Sequence, residues 1–257
     1  VRSRPRSSQE VRASIAALSA TTRFRATLKP PGPSTSLHFF AQSWRLNPWD
    51  FRIASETTRR YGASRIPKGS TVEDWPFGYD ELEPYYDRIE YELGVSGQAG
   101  NVKGTIDPRG NPFEGPRTRG YPMPPLRWTA FHERMAAAAK GLGWNPFPGP
   151  AAINTRPHAN RSGCMYHGFC SRGGCHVEAK SSTAVSTIPK AMRTGRFKVV
   201  DQAVVMKIDV DEAKGRVTGV TYRKGGEEYV QPADVVLIAG YTYENSRMLL
   251  LSKSKPF

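Results

Sequence analysis

The last third of the chain switches from helical to strand-like periodicity, and this switch most restricts the fold. Residues 197–240 alternate β-branched runs with turn residues at DEAKG and RKGG, which predicts three or four short strands joined by hairpins. The run ends in DVVLIAG, a fully apolar segment followed by the helical pattern TYENSRMLLLS. An apolar strand that enters a helix through glycine is typical of a buried parallel strand in an α/β sheet. Such sheets bind ligands at the carboxyl ends of their strands.

A helix is predicted upstream of this region, in YDELEPYYDRIEYELGV (79–95). Apolar side chains recur there every three or four residues, with Asp and Glu between them. Pro84 fits only the first turn of a helix, so we expect the helix to start between Asp80 and Glu83. The following stretch, up to Pro125, has Gly or Pro every few residues and predicts an ordered loop region.

Two further helices are predicted. TAFHERMAAAAKGLG (129–143) has Thr129 as its candidate N-cap and Gly141 or Gly143 as its stop. TAVSTIPKAMRTG predicts a short helix that ends at Gly195.

The composition limits the class of protein. The chain has 257 residues with 24 Gly and 21 Pro, which suits a loop-rich globular protein of one large or two ordinary domains. No apolar run approaches the roughly 18 to 20 residues that span a bilayer. The chain starts at Val1 without a secretory signal pattern and stops after an apolar helical run, so we expect a piece of a longer chain.

The net charge of +14 suggests nucleic-acid binding, but its distribution argues against it. The basic residues are spread along the whole sequence, and the one dense block is Arg2 to Arg25. An excess of basic residues that is dispersed in this way indicates a solvated surface or a docking face for an acidic partner.

All three cysteines lie in GCMYHGFCSRGGCHVEAKSS (163–182), separated by five and four residues. Thiolates that converge from one glycine-rich segment suit an iron–sulfur cluster, because the backbone can fold around the cluster and donate N–H groups to its sulfurs. Three alternatives stay open: a Cys3His zinc site with His167 or His176, a disulfide with one free thiol, and a structural turn with buried thiols.

A second candidate region is HFFAQSWRLNPWDFR (38–52), which holds five aromatic rings. These rings are either buried loop anchors or a wall beside a planar ligand.

Four stretches together resemble the glucose-methanol-choline (GMC) oxidoreductases, in the branch similar to the large subunit of gluconate 2-dehydrogenase. They occur in order along the chain, as DWPFGYDELEPYYDRIEYELGVSGQAGN (74–101), GNPFEGPRTRGYPMPPL (110–126), CMYHGFCSRGGCHVEAKSS (164–182) and TGVTYRKGGEEYVQPADVVLIAGYTYENSRMLLLS (218–252). The resemblance implies a central fragment of an FAD-dependent enzyme that oxidises a CH–OH group of a sugar or sugar acid.

The resemblance also implies the fold, a mixed α/β and α+β arrangement. We expect a Rossmann-like FAD-binding domain with a β-meander plus a substrate or cap region, incomplete at both termini. The expected parts are a basic loop-rich segment (1–37), a flavin-lining and cap region (38–160), a cysteine-rich cluster loop (161–182) and part of the FAD-binding domain (183–257). The pyrophosphate-binding glycine turn is expected upstream of Val1. The catalytic residues are unknown and expected downstream of Phe257.

The candidate site residues follow from the same resemblance. Those for FAD are His38, Gln42, Val205, Ala239, Gly240 and Asn245. Those for a [3Fe-4S] cluster are Cys164, Cys170 and Cys175; relatives often have a further cysteine where this chain has His167. His38 is an FAD contact only by resemblance, and from the residues alone His38, His132 and His158 are better interpreted as structural.

The resemblance implies partners as well. These are a sugar or sugar-acid substrate, a small accessory subunit and a cytochrome c-type electron acceptor, with no nucleic acid. The implied location is the periplasm or a membrane surface reached through partner subunits, and the cytoplasm stays open. The alternative functions are a basic zinc-containing nucleic-acid-binding module and a truncated inactive homologue.

Overall fold

The computed structural model describes residues 39–168 and 174–254. The chain divides into two compact units, a central unit within Ser36–Thr187 and a C-terminal unit from Ile188 onwards. The two units are described separately below.

The central unit is built from helices and ordered loops. Its elements are the 3₁₀ turns Pro48–Arg52 and Ala63–Arg65, the helices α1 (Ile53–Tyr61), α2 (Tyr79–Leu93) and α3 (Ala130–Gly141), and a short hairpin of β1 (Asn101–Val102) and β2 (Thr105–Ile106). Helix α4 (Thr187–Arg193) begins at the end of this unit. The predicted helices at 129–143 and before Gly195 are confirmed, with Thr129 as the N-cap of α3.

The C-terminal unit is a three-stranded antiparallel sheet with one helix. Its elements are β3 (Ala203–Asp211), β4 (Arg216–Lys224), β5 (Glu227–Pro232) and α5 (Thr242–Leu251), in the sheet order β3-β4-β5. The predicted hairpins are confirmed. Gly225 and Gly226 both have positive φ, as a tight two-residue hairpin turn requires. Val205 and Val220 of the sheet pack with Met248 of α5 to form the core.

The apolar segment DVVLIAG differs from its prediction. Residues 235–239 form no strand ladder in the part of the chain that the structure describes. Val236 packs against the core of the C-terminal unit, whereas Val235 and Leu237 are 77% and 63% exposed. A parallel strand is buried only where neighbouring strands and helices cover it. The prediction of a buried parallel strand is therefore wrong for the described residues.

Helix α2 begins one residue earlier than predicted, at Tyr79. The side chain of Glu81 accepts a hydrogen bond from the backbone N–H of Gly78 at 3.3 Å, which caps the helix there. Pro84 therefore lies in the second turn, where it cannot donate to the carbonyl of Asp80. Asp80 is exposed, so water can satisfy that carbonyl.

The buried face of α2 is the acidic one. Tyr85 and Ile89, which the periodicity places on an apolar face, are 68% and 44% exposed. Tyr79, Glu83 and Glu90 are buried instead. Carboxylates are buried in proteins when cations and hydrogen-bond donors meet them, so this face requires partners elsewhere in the chain.

Two buried arginines supply these partners. Arg45 donates from Nε and Nη2 to the two carboxylate oxygens of Glu90, each at 2.8 Å. The Nη2 atom of Arg117 donates to the same carboxylate, and its side chain is fully buried. Arg45 also donates from Nη1 to the hydroxyl of Tyr79 at 2.9 Å and to Glu83 at 3.2 Å. We call these five residues the Glu90 network.

The contacts of the network shift the pKa of Arg45 and of Glu83. Burial lowers the pKa of Arg45, but its hydrogen bonds and attraction to Glu90 and Tyr79 outweigh burial and raise the pKa above its ordinary value. Burial raises the pKa of Glu83, but the donors of Thr118 and Arg45 hold it below its ordinary value. These groups therefore stay charged at neutral pH.

The region after α2 is ordered, as predicted, but the expectation that it lacks regular structure is wrong, because it contains the short β1–β2 hairpin. The carboxylate of Glu114 accepts backbone hydrogen bonds from Gly100 at 2.6 Å and Asn101 at 3.0 Å, and burial raises its pKa.

No helix among the described residues is both long and apolar enough to cross a membrane.

Glu90→Gln tests the network. The substitution leaves two buried guanidinium groups facing a neutral amide, and we expect the free energy of unfolding to fall by about 3–5 kcal/mol. Asp87→Asn is the matched control. Asp87 also lies on α2, but its ion-pair partner Arg119 is half-exposed, so this substitution should cost about 1 kcal/mol or less. Urea unfolding followed by circular dichroism measures both. Equal losses in the two variants would contradict the assignment.

Gly94→Ala tests the end of α2. Gly94 has φ +74°, and a Cβ atom there would lie 2.6 Å from Cδ2 of His158 and 2.7 Å from Cε of Met123. We expect a loss of about 2–4 kcal/mol from the left-handed backbone and the overlap together. Gly195→Ala is the control, because Gly195 has a similar φ of +67° with nothing within 4 Å of the added Cβ atom, so it measures the cost of a positive φ without overlap, about 1–2 kcal/mol. Thermal unfolding of both variants compares the two contributions.

Candidate functional site

The C-terminal unit contains four of the predicted FAD residues. Val205 lies in β3 with its side chain in the core. The register of β3 against β4 shifts between Val205 and Lys207, so Met206 forms a bulge. A bulge interrupts the ladder and redirects backbone groups, and bulges are frequent beside binding sites.

The other three residues form the turn that leads into α5. The buried Gly240 donates its N–H to Oδ1 of Asn245 at 2.8 Å, and Asn245 donates its own N–H to the carbonyl of Tyr241 at 2.8 Å. Tyr241 has φ +76° and gives the helix no side-chain cap. Ala239 is exposed beside this turn. The start of α5 therefore presents uncapped N–H groups, an arrangement that favours an oxygen-rich or anionic ligand.

The aromatic region belongs to the central unit, and its rings differ in exposure. Phe51 is fully buried against Trp75 and Phe77, which confirms the anchor interpretation for this ring. Phe40 and Trp44 are 59% and 53% exposed. For these two rings the wall beside a planar ligand stays a prediction.

Gln42, the remaining described FAD candidate, is exposed next to Trp44. Its Oε1 accepts a hydrogen bond from Nε1 of Trp44 at 2.9 Å, and its backbone forms a β-bridge with Ala151. Trp44 packs edge-on against Phe147 at 6.1 Å between ring centroids. His38, the other candidate of this region, lies outside the described residues.

Cys164 and Cys175 are half-buried and carry free thiols, and Cys170 lies outside the described residues. The backbone N–H of Tyr166 donates to Sγ of Cys164 at 3.3 Å, and Tyr166 has φ +57°. A backbone donor on a cysteine sulfur is what iron–sulfur ligands use to tune their charge. The described part of the loop thus fits a thiolate ligand, and the two described cysteines form no disulfide with each other.

The histidines of the loop lie close together. The rings of His167 and His176 are 4.7 Å apart between centroids. Within residues 39–168 and 174–254, no three His, Cys, Asp or Glu side chains form a metal-binding group. A Cys3His zinc site would need Cys170, which lies outside the described residues, so the zinc alternative stays open.

Two further histidines, His132 and His158, make contacts within the central unit, and His38 lies outside the described residues. Nδ1 of His132 lies 2.7 Å from Oγ1 of Thr129 at the start of α3. Nε2 of His158 lies 3.0 Å from the carbonyl oxygen of Tyr91 in α2.

The sequence interpretation missed two buried residues that hold the cysteine segment. Asn154 is fully buried and accepts a hydrogen bond from the N–H of Cys164 at 2.7 Å. Arg161 is 6% exposed and contacts the chain on both sides of the cysteines. The one local signal is the pair Ala159–Asn160 before Arg161, because asparagine favours the left-handed turns that both residues adopt.

Comparison with known proteins identifies the family. A family model described as GMC oxidoreductase matches residues 129–254. The chain is 33% identical over 234 residues to the gluconate 2-dehydrogenase flavoprotein of Pantoea cypripedii, which covers 86% of this chain and 38% of the relative. It is 31% identical over 219 residues to the fructose dehydrogenase large subunit of Gluconobacter japonicus, with 85% and 36% covered.

A third relative is the paromamine 6'-oxidase of Streptomyces fradiae, 31% identical over 218 residues, with 82% of this chain and 34% of the relative covered. The chain therefore spans little more than a third of the length of these curated relatives. Its helices and small sheets are consistent with part of an FAD-binding domain of the matched family. The sequence similarity and this architecture agree, and the chain belongs to the GMC oxidoreductase family.

Proposed function

We propose that the intact protein is an FAD-dependent dehydrogenase that oxidises a CH–OH group of a sugar or sugar acid and passes the electrons to an external acceptor. The observation that carries the proposal is the 33% identity to a gluconate 2-dehydrogenase flavoprotein over 86% of this chain. The similarity to a fructose dehydrogenase large subunit supports the proposal of a sugar-type substrate.

The residues proposed to contact FAD are Val205, Ala239, Gly240 and Asn245 of the C-terminal unit and Gln42 of the central unit, and each unit is considered by itself. FAD, when bound, supplies hydride acceptance. In the C-terminal unit, the bulge after Val205 frees backbone groups and the Gly240–Asn245 hydrogen bond fixes the turn into α5. In the central unit, Trp44 holds the side chain of Gln42 and offers an exposed ring for a planar ligand. His132 and His158 make contacts within the central unit, and we expect the catalytic residues downstream of Phe257, so we assign none here.

The cysteine segment is proposed to hold a [3Fe-4S] cluster through Cys164, Cys170 and Cys175. Such a cluster, when bound, supplies one-electron transfer. The N–H of Tyr166 would stabilise the thiolate of Cys164, because a hydrogen bond to a sulfur withdraws part of its negative charge. Three thiolates match three irons, and His167 stands where relatives often have a fourth cysteine.

The proposed partners are a small accessory subunit and a cytochrome c-type electron acceptor. One relative is itself named a large subunit, which supports assembly with other chains. Helix α3 and the turn after it expose Phe131, Met135, Leu142 and Trp144, each more than half exposed. An apolar surface of this kind suits contact with another polypeptide. We propose a periplasmic or membrane-associated location through such subunits.

Asn245→Ala tests the flavin site. The loss of the hydrogen bond from Gly240 frees the turn, and we expect the affinity of the intact protein for FAD to fall about tenfold. Ser246→Ala is the matched control, because Ser246 bonds only within α5 on its exposed side. Fluorescence titration of the flavin-stripped protein with FAD measures both. The wild type should lose its oxidised-flavin absorbance when a sugar acid is added without oxygen, and intact protein that binds no flavin would refute the proposal.

Serine substitution of each cysteine tests the cluster. We expect Cys164→Ser, Cys170→Ser and Cys175→Ser each to lose most of the bound iron, because a hydroxyl is a poor cluster ligand. His167→Gln is the control and should keep a three-iron signal. Iron and sulfide analysis with electron paramagnetic resonance of anaerobically prepared protein gives the result. Wild-type protein without iron or a signal in either redox state would exclude the cluster.

A further inference from the structure

A narrow cleft lies in the central unit, formed by the aromatic region, the loops after α2 and the segment after α3. Its lining combines two aromatic rings with three polar side chains, namely Trp44, Phe147, Gln98, Asn111 and Glu114. We call it the Trp44 cleft. The space inside is about that of one water molecule, so it admits a single hydroxyl group and excludes a whole sugar ring.

The indole ring of Trp44 is held in position and is still accessible. Its Nε1 atom donates to Oε1 of Gln42 at 2.9 Å, and the ring packs edge-on against Phe147 at 6.1 Å between ring centroids. The backbone of Gly149 approaches the same ring, because a Cβ atom at Gly149 would lie 3.1 Å from Cζ2 of Trp44. The side chain is nevertheless about half exposed. A ligand can therefore reach a ring whose orientation is already fixed.

Two amide side chains of the cleft each keep one polar atom unused. Nε2 of Gln98 donates to the carbonyl of Ala99 at 3.2 Å and to Oδ2 of Asp107 at 3.1 Å, and no described residue donates to its Oε1. Oδ1 of Asn111 accepts from the N–H of Phe113 at 3.0 Å, and its Nδ2 donates to no described residue. Gln98 therefore offers an acceptor, and Asn111 offers a donor.

The carboxylate of Glu114 also has one unused oxygen. Its Oε1 atom accepts from the backbone N–H groups of Gly100 at 2.6 Å and Asn101 at 3.0 Å. Its Oε2 atom lies 3.9 Å from Nη1 of Arg117, which is beyond hydrogen-bond distance. The side chain is only 9% exposed. A carboxylate oxygen that has lost most of its water without gaining a donor is stabilised when a hydroxyl group donates to it.

Close backbone packing sets the spacing of these polar groups. A Cβ atom at Gly100 would overlap the backbone of Asn111, and one at Gly110 would lie 2.5 Å from the backbone oxygen of Gln98. Only glycine allows the two loop segments to approach so closely. The donors and acceptors of the cleft are therefore arranged before a ligand arrives, which lowers the cost of binding.

We propose that the Trp44 cleft is a subsite for a sugar or sugar acid. A C–H face of the ligand packs on the ring of Trp44, and one hydroxyl group enters the cleft, where it donates to Oε2 of Glu114 and accepts from Nδ2 of Asn111. Sugars are apolar on their C–H faces and polar at their edges, so they match an exposed ring beside converging donors and acceptors. This inference rests on the proposed function and adds to it the residues that hold the sugar.

The test measures sugar binding to the intact, flavin-stripped protein, with D-gluconate and D-fructose as probes. Titration followed by saturation-transfer NMR gives dissociation constants without turnover. We expect Trp44→Ala to bind the sugar about tenfold more weakly, because the ring surface is lost, and Trp44→Phe to keep most of the affinity. Trp144→Ala is the matched control, since Trp144 is 70% exposed in the same unit and does not line the cleft.

Glu114→Gln tests the polar part of the cleft. Glutamine keeps an oxygen for the two backbone donors and replaces the unused carboxylate oxygen with an NH2 group that cannot accept, so we expect about tenfold weaker binding. Asn111→Asp keeps the acceptor for Phe113 and removes the donor, and it should weaken binding as well. Glu133→Gln, an exposed charge removal on α3, is the control and should bind as the wild type does.

The outcomes separate the subsite from the proposed function. Wild-type affinity in both Trp44→Ala and Glu114→Gln would overturn the inference. A loss of FAD affinity in Trp44→Ala without a loss of sugar affinity would assign the ring to the flavin and overturn it too. Should Glu114→Gln fail to fold, Asn111→Asp decides the role of the polar groups. Protein that binds sugar but no FAD would refute the dehydrogenase and leave the subsite standing, whereas protein that binds FAD and neither probe would overturn the subsite.

Discussion

The carboxylate of Glu90 lies between the buried guanidinium groups of Arg45 and Arg117, and the central unit depends on this arrangement. The three residues come from the aromatic region, from α2 and from the loop after the first hairpin, so their charges join three distant parts of the sequence. Removal of one partner from a buried ion network leaves an uncompensated charge. The resulting loss of stability is larger than the stability that the network adds compared with apolar residues in the same place. The segments that carry Gln42 and Trp44 are therefore fixed by electrostatics as much as by apolar packing.

The same helix connects the Glu90 network to the cysteine loop, whose described residues are 162–168 and 174–177. Glu90 lies one turn before the end of α2, and the carbonyls of Tyr91 and Leu93 receive the side chains of His158 and Arg161. The last carbonyls of a helix have no hydrogen-bond donors within the helix. Here cationic or N–H-bearing side chains donate to them. The C-terminal end of α2 thus serves as the fixed point from which the cysteine loop extends.

Helices and strands that depend on local sequence signals were predicted well, whereas contacts between residues far apart in the sequence were not predicted. The glycine pair at the β4–β5 turn and Thr129 before α3 act within a few residues, so both elements were predictable. The buried acidic face of α2 was not, because Arg45 lies 45 residues from Glu90 and no spacing rule links them. Among the site residues, Gly240 and Asn245 were predicted through the resemblance, and the structure joins them by a hydrogen bond. Arg161 was missed because its importance depends on acceptors at Leu93 and Ser181, far along the chain.

Non-glycine residues with positive φ cluster beside the proposed site residues. Eight non-glycine residues of the described chain have positive φ, namely Ala41, Lys103, Ala159, Asn160, Tyr166, Glu178, Gln202 and Tyr241. Ala41 and Tyr241 adjoin the predicted FAD residues Gln42 and Gly240, and four others flank or lie within the cysteine loop. Such conformations persist where surrounding contacts hold them, and they concentrate at functional sites. Six of the eight therefore lie beside residues that we propose for FAD or for the cluster, where surrounding contacts must hold the backbone in place.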